Sequence, residues 1–135
     1  MPGYSATPLV KKLGYRAGQR VLWRGAPLGY DRWLDPLPDG ITRLRRATGG
    51  LDLVHVFVTR RRDLERSLAD LMPRIRPDGM IWVSWPKKAS GMASEVTEDT
   101  IREVALPMGL VDVKVCAVSD VWSGLKLVIR REFRG

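Results

Sequence analysis

Hydrophobic and polar residues follow two periods along this chain, one typical of β-strands and the other of amphipathic helices. The strongest strand signal is Leu51–Val58, whose near-continuous apolar run predicts a strand covered on both faces. Met80–Trp85 is a second run of this kind. The segments Val111–Val118 and Leu125–Arg131 alternate instead, and the turn Ser119–Gly124 between them predicts a hairpin with one wetter face.

Three other segments have helical spacing and recognisable ends. The first is Thr7–Gly14, with Thr7 as the predicted N-cap and Gly14 as the stop. The second is Thr59–Ile75, an amphipathic helix with Thr59 as the predicted cap and a leucine-rich apolar stripe along one face. The third runs from Thr97 to Leu106 and is expected to end before Gly109.

Together with short strands at Gln19–Gly25 and Ile41–Leu44, these elements predict an α/β fold. We expect a three-layer, Rossmann-like and mainly parallel sheet of about six strands, closed by a C-terminal antiparallel hairpin over 111–131. The prediction is one domain over 1–135, with a helical arm at 1–16. The link 45–50 is short for a parallel crossover. Either it is extended, which we favour, or the strand at 41–44 is antiparallel to the strand at 51–58.

Composition narrows the range of functions. The chain has 135 residues, a net charge of +8, a single cysteine and a single histidine. These counts argue against a disulfide and against a metal site, so we expect none. We also expect a cytoplasmic protein that does not span a membrane, because no apolar run is long enough and the start lacks a signal-peptide pattern. Arginines cluster at Arg43–Arg46 and Arg60–Arg66, which predicts either a surface for phosphate or an acidic partner, or a solvated face.

Parallel strands of α/β proteins carry their ligands beyond the carboxyl ends of the strands. Two loops of this chain are expected to meet there: the glycine-bounded turn after the first strand, and the basic loop after Met80–Trp85. Two ammonium groups, a hydroxyl and free backbone amides could hold an anion in the second loop. The candidate ligand-binding residues are therefore Gly25, Gly29, Trp85, Lys87, Lys88, Ser90 and Gly91.

The remaining reactive side chains favour structural roles. His55 lies inside an apolar strand and is predicted to be a core histidine bonded to a neighbour, since no serine, cysteine or acid is spaced to form a triad with it. Cys116 is predicted to pack, and Trp122 to cover the core. Ser5 and Thr7 could fold over the edge of the site, although nothing in the sequence requires it.

The second half of the chain resembles S-adenosylmethionine-dependent methyltransferases. The segment 76–83 (RPDGMIWV) is similar to their turn into the fifth strand. The segments 109–115 (GLVDVKV) and 124–131 (GLKLVIRR) are similar to their final hairpin. This resemblance implies the fold and makes S-adenosylmethionine the alternative cofactor.

A more specific resemblance covers nearly the whole chain. The segments GYSATPL at 3–9, KKLG at 11–14, WPKKASG at 85–91, VDVKVCAV at 111–118 and WSGLK at 122–126 are similar to a family of small bacterial proteins classed as a domain of unknown function. That resemblance implies the fold and no activity.

The methyltransferase pattern is incomplete in this sequence. The resemblance implies an acid entering a compact G-x-G loop, but Trp23 and Arg24 precede Gly25. It also implies an acid after the second strand, where Arg45 and Arg46 stand. We therefore expect a binding or regulatory protein that is not an enzyme and has no cofactor, with an anionic small molecule or acidic protein surface as partner. The alternatives are a minimal S-adenosylmethionine-dependent methyltransferase and a basic protein associated with nucleic acid.

Overall fold

The computed structural model describes residues 7–135, which form a sheet of six strands with helices on both faces. The strands are β1 Arg20–Arg24, β2 Thr42–Leu44, β3 Leu51–Phe57, β4 Ile75–Pro86, β5 Leu110–Ala117 and β6 Trp122–Ile129. The helices are α1 Leu9–Lys12, α2 Tyr30–Trp33, α3 Arg61–Leu71 and α4 Glu98–Met108. The predicted α/β class and its alternation of strands and helices are confirmed. The candidate contact of Ser5 lies outside the described residues.

The order of strands across the sheet is β2-β1-β3-β4-β6-β5. The first four are mutually parallel, and β6 is antiparallel to both of its neighbours, so the predicted closing hairpin is confirmed. β2 pairs with β1 and is parallel to β3. The link 45–50 contains neither helix nor strand, as we favoured. Six extended residues reach about 20 Å, which is enough because β2 is so short.

Two apolar clusters fix the layers. On one face of the sheet, Leu64 and Leu68 of α3 and Ile101 of α4 pack against β3, β4 and β6. On the other face, the short helices α1 and α2 bring Leu13 and Tyr30 onto β1, β3 and β4. The sheet is therefore the middle layer of three, as predicted.

Both ends of α3 differ from the prediction. The helix does not reach Ile75, which is the first residue of β4, because Pro73 lacks an amide proton and ends the α-helix in a 3₁₀ turn. Thr59 is not the cap; Arg60 occupies that position, and the Thr59 carbonyl accepts a hydrogen bond from the Glu95 amide.

The other predicted caps divide in the same way. Pro8, rather than Thr7, is the cap position of α1, whereas Gly14 has the expected left-handed backbone. Thr97 caps α4 through a reciprocal pair of bonds with Thr100, and Gly109 ends that helix in a left-handed conformation, as predicted.

The closing hairpin has an earlier turn and a less regular first strand than its sequence suggests. β6 begins at Trp122, so the predicted turn through Gly124 is wrong and the true turn lies between Ala117 and Trp122. The strict alternation of β5 is also wrong, because the pairing shifts between Asp112 and Lys114. An extra residue at this bulge reverses which residues face each side of the sheet.

Candidate functional site

The carboxyl ends of β1, β3 and β4 lie at one edge of the sheet. Arg24 of β1 is in register with Val56 of β3, and Phe57 of β3 is in register with Ser84 of β4. The loops that follow β1 and β4 therefore leave from the same edge, separated by the width of two strand spacings, about 10 Å. We call this the carboxyl edge. The sheet also reverses its strand order between β1 and β3, which is where open α/β sheets bind ligands.

Gly25 is required by the backbone at this edge. Its φ is +70°, and a Cβ added there would lie 2.7 Å from the Phe57 carbonyl oxygen. Gly29 has a left-handed backbone as well (φ +92°) and begins α2. The loop between these glycines therefore turns tightly from the end of β1 into α2.

The basic loop after β4 is held largely by its own contacts. The Lys87 ammonium donates to the Ser119 carbonyl at 2.9 Å, and the Lys87 amide donates to the Val121 carbonyl at 2.8 Å. The Ser90 hydroxyl donates to the Lys87 carbonyl at 2.6 Å. Lys87 and Ser90 thus shape the loop and tie it to the hairpin turn.

Two other residues predicted for this loop differ in their exposure. Lys88 is exposed, and its ammonium makes no hydrogen bond or ion pair with residues 7–135, so that group is available to a ligand. Trp85 belongs to the apolar core and is only 9% exposed. Its ring therefore supports the loop from below. Gly91 ends the loop with a φ of +76°.

A crevice of about 420 Å³ opens beside Gly25, between the end of β1 and α3. Ser67 lines it and is 6% exposed; its hydroxyl makes no hydrogen bond with residues 7–135 and is the part of the residue that is open to the crevice. Asp63 and Arg66 also line the crevice, so it offers a donor, an anion and a cation to a ligand.

One ion pair forms the wall of the crevice near the end of β1. The Arg24 guanidinium donates to the Asp70 carboxylate at 2.9 Å, and Arg74 contacts the same carboxylate at 3.2 Å. The hydrogen bond from Arg24 is the main cause that lowers the pKa of Asp70. Asp70 is therefore a poor acceptor for any further group.

Sequence reasoning missed this α3 wall, although a signal existed. Asp63, Ser67 and Asp70 recur at helical spacing beside the apolar stripe of α3. Such a polar stripe marks the border of the buried face. What the spacing does not show is that the buried end of this stripe meets Gly25.

A chain of buried hydrogen bonds runs under the second apolar cluster. Trp23 Nε1 donates to the Tyr15 hydroxyl, which pairs with the Tyr30 hydroxyl at 2.8 Å. The Tyr30 hydroxyl pairs with His55 Nδ1 at 2.5 Å, and His55 Nε2 pairs with the Ser84 hydroxyl at 2.7 Å. The prediction of a bonded core histidine is confirmed.

The same chain makes His55 chemically inert at neutral pH. His55 and Ser84 are both 0% exposed, and burial lowers the pKa of His55 to about 3. Because Trp23 can only donate, the simplest direction of the bonds is from Trp23 through both tyrosines to Nδ1, which leaves the histidine proton on Nε2 facing Ser84. Burial raises the pKa of Tyr30 as well. Ser84 and His55 resemble a catalytic pair, but no substrate can reach them.

The other two structural predictions agree with the packing. Trp122 meets Phe57 edge to face, with ring centroids 5.2 Å apart, and covers the second cluster. Cys116 packs against the same cluster and is half-buried, and burial raises the pKa of its thiol. Among residues 7–135, no group of three potential metal ligands occurs. Within that same range, no helix is long and apolar enough to cross a membrane.

The edge lacks the carboxylates that an adenosyl cofactor would need. β1 ends in Trp23 and Arg24, and β2 is followed by Arg45 and Arg46, both exposed and without ion pairs to residues 7–135. A ribose diol at the end of β2 would meet two guanidinium groups, which only donate hydrogen bonds. The residues present therefore do not fit S-adenosylmethionine in the manner that the resemblance implies.

The fold is that of S-adenosylmethionine-dependent methyltransferases. One similar structure is such a methyltransferase from Aquifex aeolicus, with a TM-score of 0.64 and 15% identity over 90% of this chain and 87% of that one. Another is a putative type 11 methyltransferase from Sulfolobus solfataricus, with a TM-score of 0.63 and 11% identity over 93% and 90% of the two chains. The chain itself belongs to a family described as protein of unknown function (DUF3052), whose model matches residues 49–131. No curated protein matches the sequence.

Proposed function

We propose that this protein is a non-catalytic binding protein that holds an anionic small molecule at the carboxyl edge. The observation that carries the proposal is the charge of that edge. Arg45, Arg46 and Lys88 follow the ends of β2 and β4 without ion pairs among residues 7–135. The ends of β1 and β2, where the resemblance implies acids that bind the amine and the ribose of S-adenosylmethionine, carry arginine instead.

The crevice supplies the rest of the binding site. Ser67 offers an unpaired hydroxyl, and Arg66 adds a further cation on the crevice wall that Gly25 also lines. A ligand with its anionic group at Lys88 and its body in the crevice spans about 10 Å across the sheet. Lys87 has a positioning role here, because its ammonium is committed to the Ser119 carbonyl.

The burial of the His55–Ser84 pair supports a binding role over catalysis. The only histidine of the chain is buried and neutral near pH 7. Ser84, its hydroxyl partner, is equally buried. General acid–base chemistry requires groups within reach of the substrate, and this pair has no access to the edge.

The experiment is an amide NMR titration with adenosine monophosphate, in which the Gly25, Lys88 and Gly91 signals are followed. We expect saturable shifts in the parent protein. Lys88→Ala should weaken binding by tenfold or more, because a charge-assisted hydrogen bond contributes about 1.5–3 kcal/mol and about 1.4 kcal/mol corresponds to one decade. Lys11→Ala removes the same charge from exposed α1 and is the control. Equal affinity in all three proteins would reject the proposal.

A minimal methyltransferase is the second candidate, and one observation favours it. Asp63 lines the crevice and could accept a bond from the ammonium of S-adenosylmethionine, in place of the acids missing from the ends of β1 and β2. The similar fold from Aquifex aeolicus is that of an S-adenosylmethionine-dependent methyltransferase. Calorimetry with S-adenosylmethionine separates the two candidates, since only the second predicts tight binding.

A further inference from the structure

The closing hairpin carries two lysines directly opposite each other. Lys114 of β5 is in register with Lys126 of β6, and both residues lie on the face of the sheet that carries α1. Like charges at directly opposed positions of neighbouring strands destabilise a sheet. A pair of this kind therefore indicates either a compensating contact or a ligand.

The bulge in β5 removes the acid that could have compensated. In a regular strand, Asp112 and Lys114 would lie on the same face. The shift of pairing between them turns Asp112 to the opposite face, where it accepts a hydrogen bond from Arg102 at 3.0 Å. The bulge thus separates the one carboxylate of β5 from the lysine pair.

Two further cations approach the pair from the segment around α1. The Lys114 ammonium donates to the backbone carbonyl of Lys12 at 3.2 Å. Burial raises the pKa of the Cys116 thiol and the charges of Lys114 and Lys12 both oppose that rise, so the two charges lie near the same group. Arg16 lies near Lys126. Partial burial is the main cause that lowers the pKa of Lys126, and the charges of Lys114 and then Arg16 lower it further. None of these four cations forms an ion pair within residues 7–135. We call the four the hairpin cluster.

A pocket of about 390 Å³ adjoins the hairpin cluster and is lined by both Arg16 and Lys126. Two carboxylates also line it. Asp52 already accepts from the Arg20 amide at 2.8 Å and pairs with Arg76 at 3.7 Å. Asp78 is exposed and forms no ion pair with the described residues. The positive charge of the cluster is therefore larger than the negative charge of the unpaired carboxylate beside it.

We propose that the hairpin cluster binds a phosphoryl group, at a site separate from the carboxyl edge. Positive side chains of β5, β6 and the α1 segment lie close together, with Arg16 and Lys126 on the wall of the pocket, which suits a compact and highly charged anion. Ammonium groups bind phosphate as point charges, and the Arg16 guanidinium adds a two-pronged donor. Lys126 lies four residues along β6 from Trp122, so the site is about 13 Å from the basic loop.

The test is a titration with inorganic pyrophosphate at constant ionic strength, followed by the amide signals of Lys114 and Lys126. We expect saturable shifts in the parent protein and at least tenfold weaker binding in Lys114→Gln/Lys126→Gln. The single variant Lys114→Gln should also melt at a higher temperature than the parent without ligand, because it relieves the repulsion. Arg131→Gln makes the same change of charge at an exposed position outside both proposed sites and should leave the hairpin shifts intact.

Three results would overturn the proposal. Unchanged pyrophosphate affinity in the double variant is the first. The second is an equal loss in Arg131→Gln, which would indicate attraction to net charge alone. The third is a response to a glutamate-rich peptide but not to pyrophosphate, which would indicate an acidic protein partner. Failure at the hairpin leaves the signals of Gly25 and Lys88 free to report on the carboxyl edge, so the two proposals are tested separately.

Discussion

The buried histidine predicts a specific dependence of stability on pH. His55 is fully buried, bonded at both ring nitrogens, and has a pKa lowered to about 3 by burial. In the unfolded chain the same group titrates near pH 6.5. Between pH 3 and pH 6.5, His55 binds a proton in the unfolded state but stays neutral in the folded state. Acidification from pH 6.5 towards pH 3 therefore lowers the free energy of unfolding.

The slope is that of one proton, about 1.4 kcal/mol per pH unit. Between pH 7 and pH 5 the loss should reach about 2 kcal/mol, a sizeable part of the 5–15 kcal/mol typical of a domain. The assay is urea unfolding at half-unit steps of pH. His55 is the only histidine, so this window is not shared with another imidazole. It also lies above the range in which most carboxylates titrate.

The matched variant is His55→Gln, which retains hydrogen-bonding groups but does not titrate. Its absolute stability is expected to fall, while its free energy of unfolding should stay level between pH 7 and pH 5. A direct NMR titration of the His55 ring covers the case in which the variant does not fold. A level profile in the parent protein, or a ring pKa above 6, would refute the burial argument.

Other predictions follow from the loop, the buried network and the charge. Gly25→Ala should cost about 1–3 kcal/mol of stability more than Gly18→Ala: both positions have positive φ, but only the first meets the Phe57 carbonyl; equal costs in urea unfolding would contradict this. Tyr30→Phe should cost about 2 kcal/mol, because it leaves the buried His55 nitrogen unpaired; a loss below about 0.5 kcal/mol would show that the network adds little. A gel shift with duplex DNA should show no retarded complex, whereas a complex whose affinity falls steeply with salt would favour the nucleic-acid alternative.

The sequence predicted most of the fold because its signals are local. Period, caps and breakers are set by neighbouring residues, so Thr97 and Gly109 bound α4 as expected. Errors arose where distant contacts decide. Nothing near Lys114 in the sequence reveals that β5 bulges. The end of α3 was mispredicted because two local signals conflict: Pro73 ends the helix, whereas the apolar stripe continues to Ile75.

The carboxyl edge was predictable, while its working parts were less so. Topology alone brings Gly25 and Trp85 to the same edge, because the carboxyl ends of parallel strands share an edge. The bond from Lys87 to Ser119 spans 32 positions and leaves no trace in either segment. Ser67 was missed for a related reason, since only its lack of a partner distinguishes it from an ordinary helix serine.

The central claim is that the carboxyl edge binds an anion and does not hold an adenosyl cofactor. The most direct measurement is a calorimetric titration of the full chain with S-adenosylmethionine up to millimolar concentration. Because arginine ends β1 and follows β2, we expect no measurable heat of binding. A micromolar dissociation constant, lost in Asp63→Asn, would contradict it and assign the chain to cofactor-dependent chemistry.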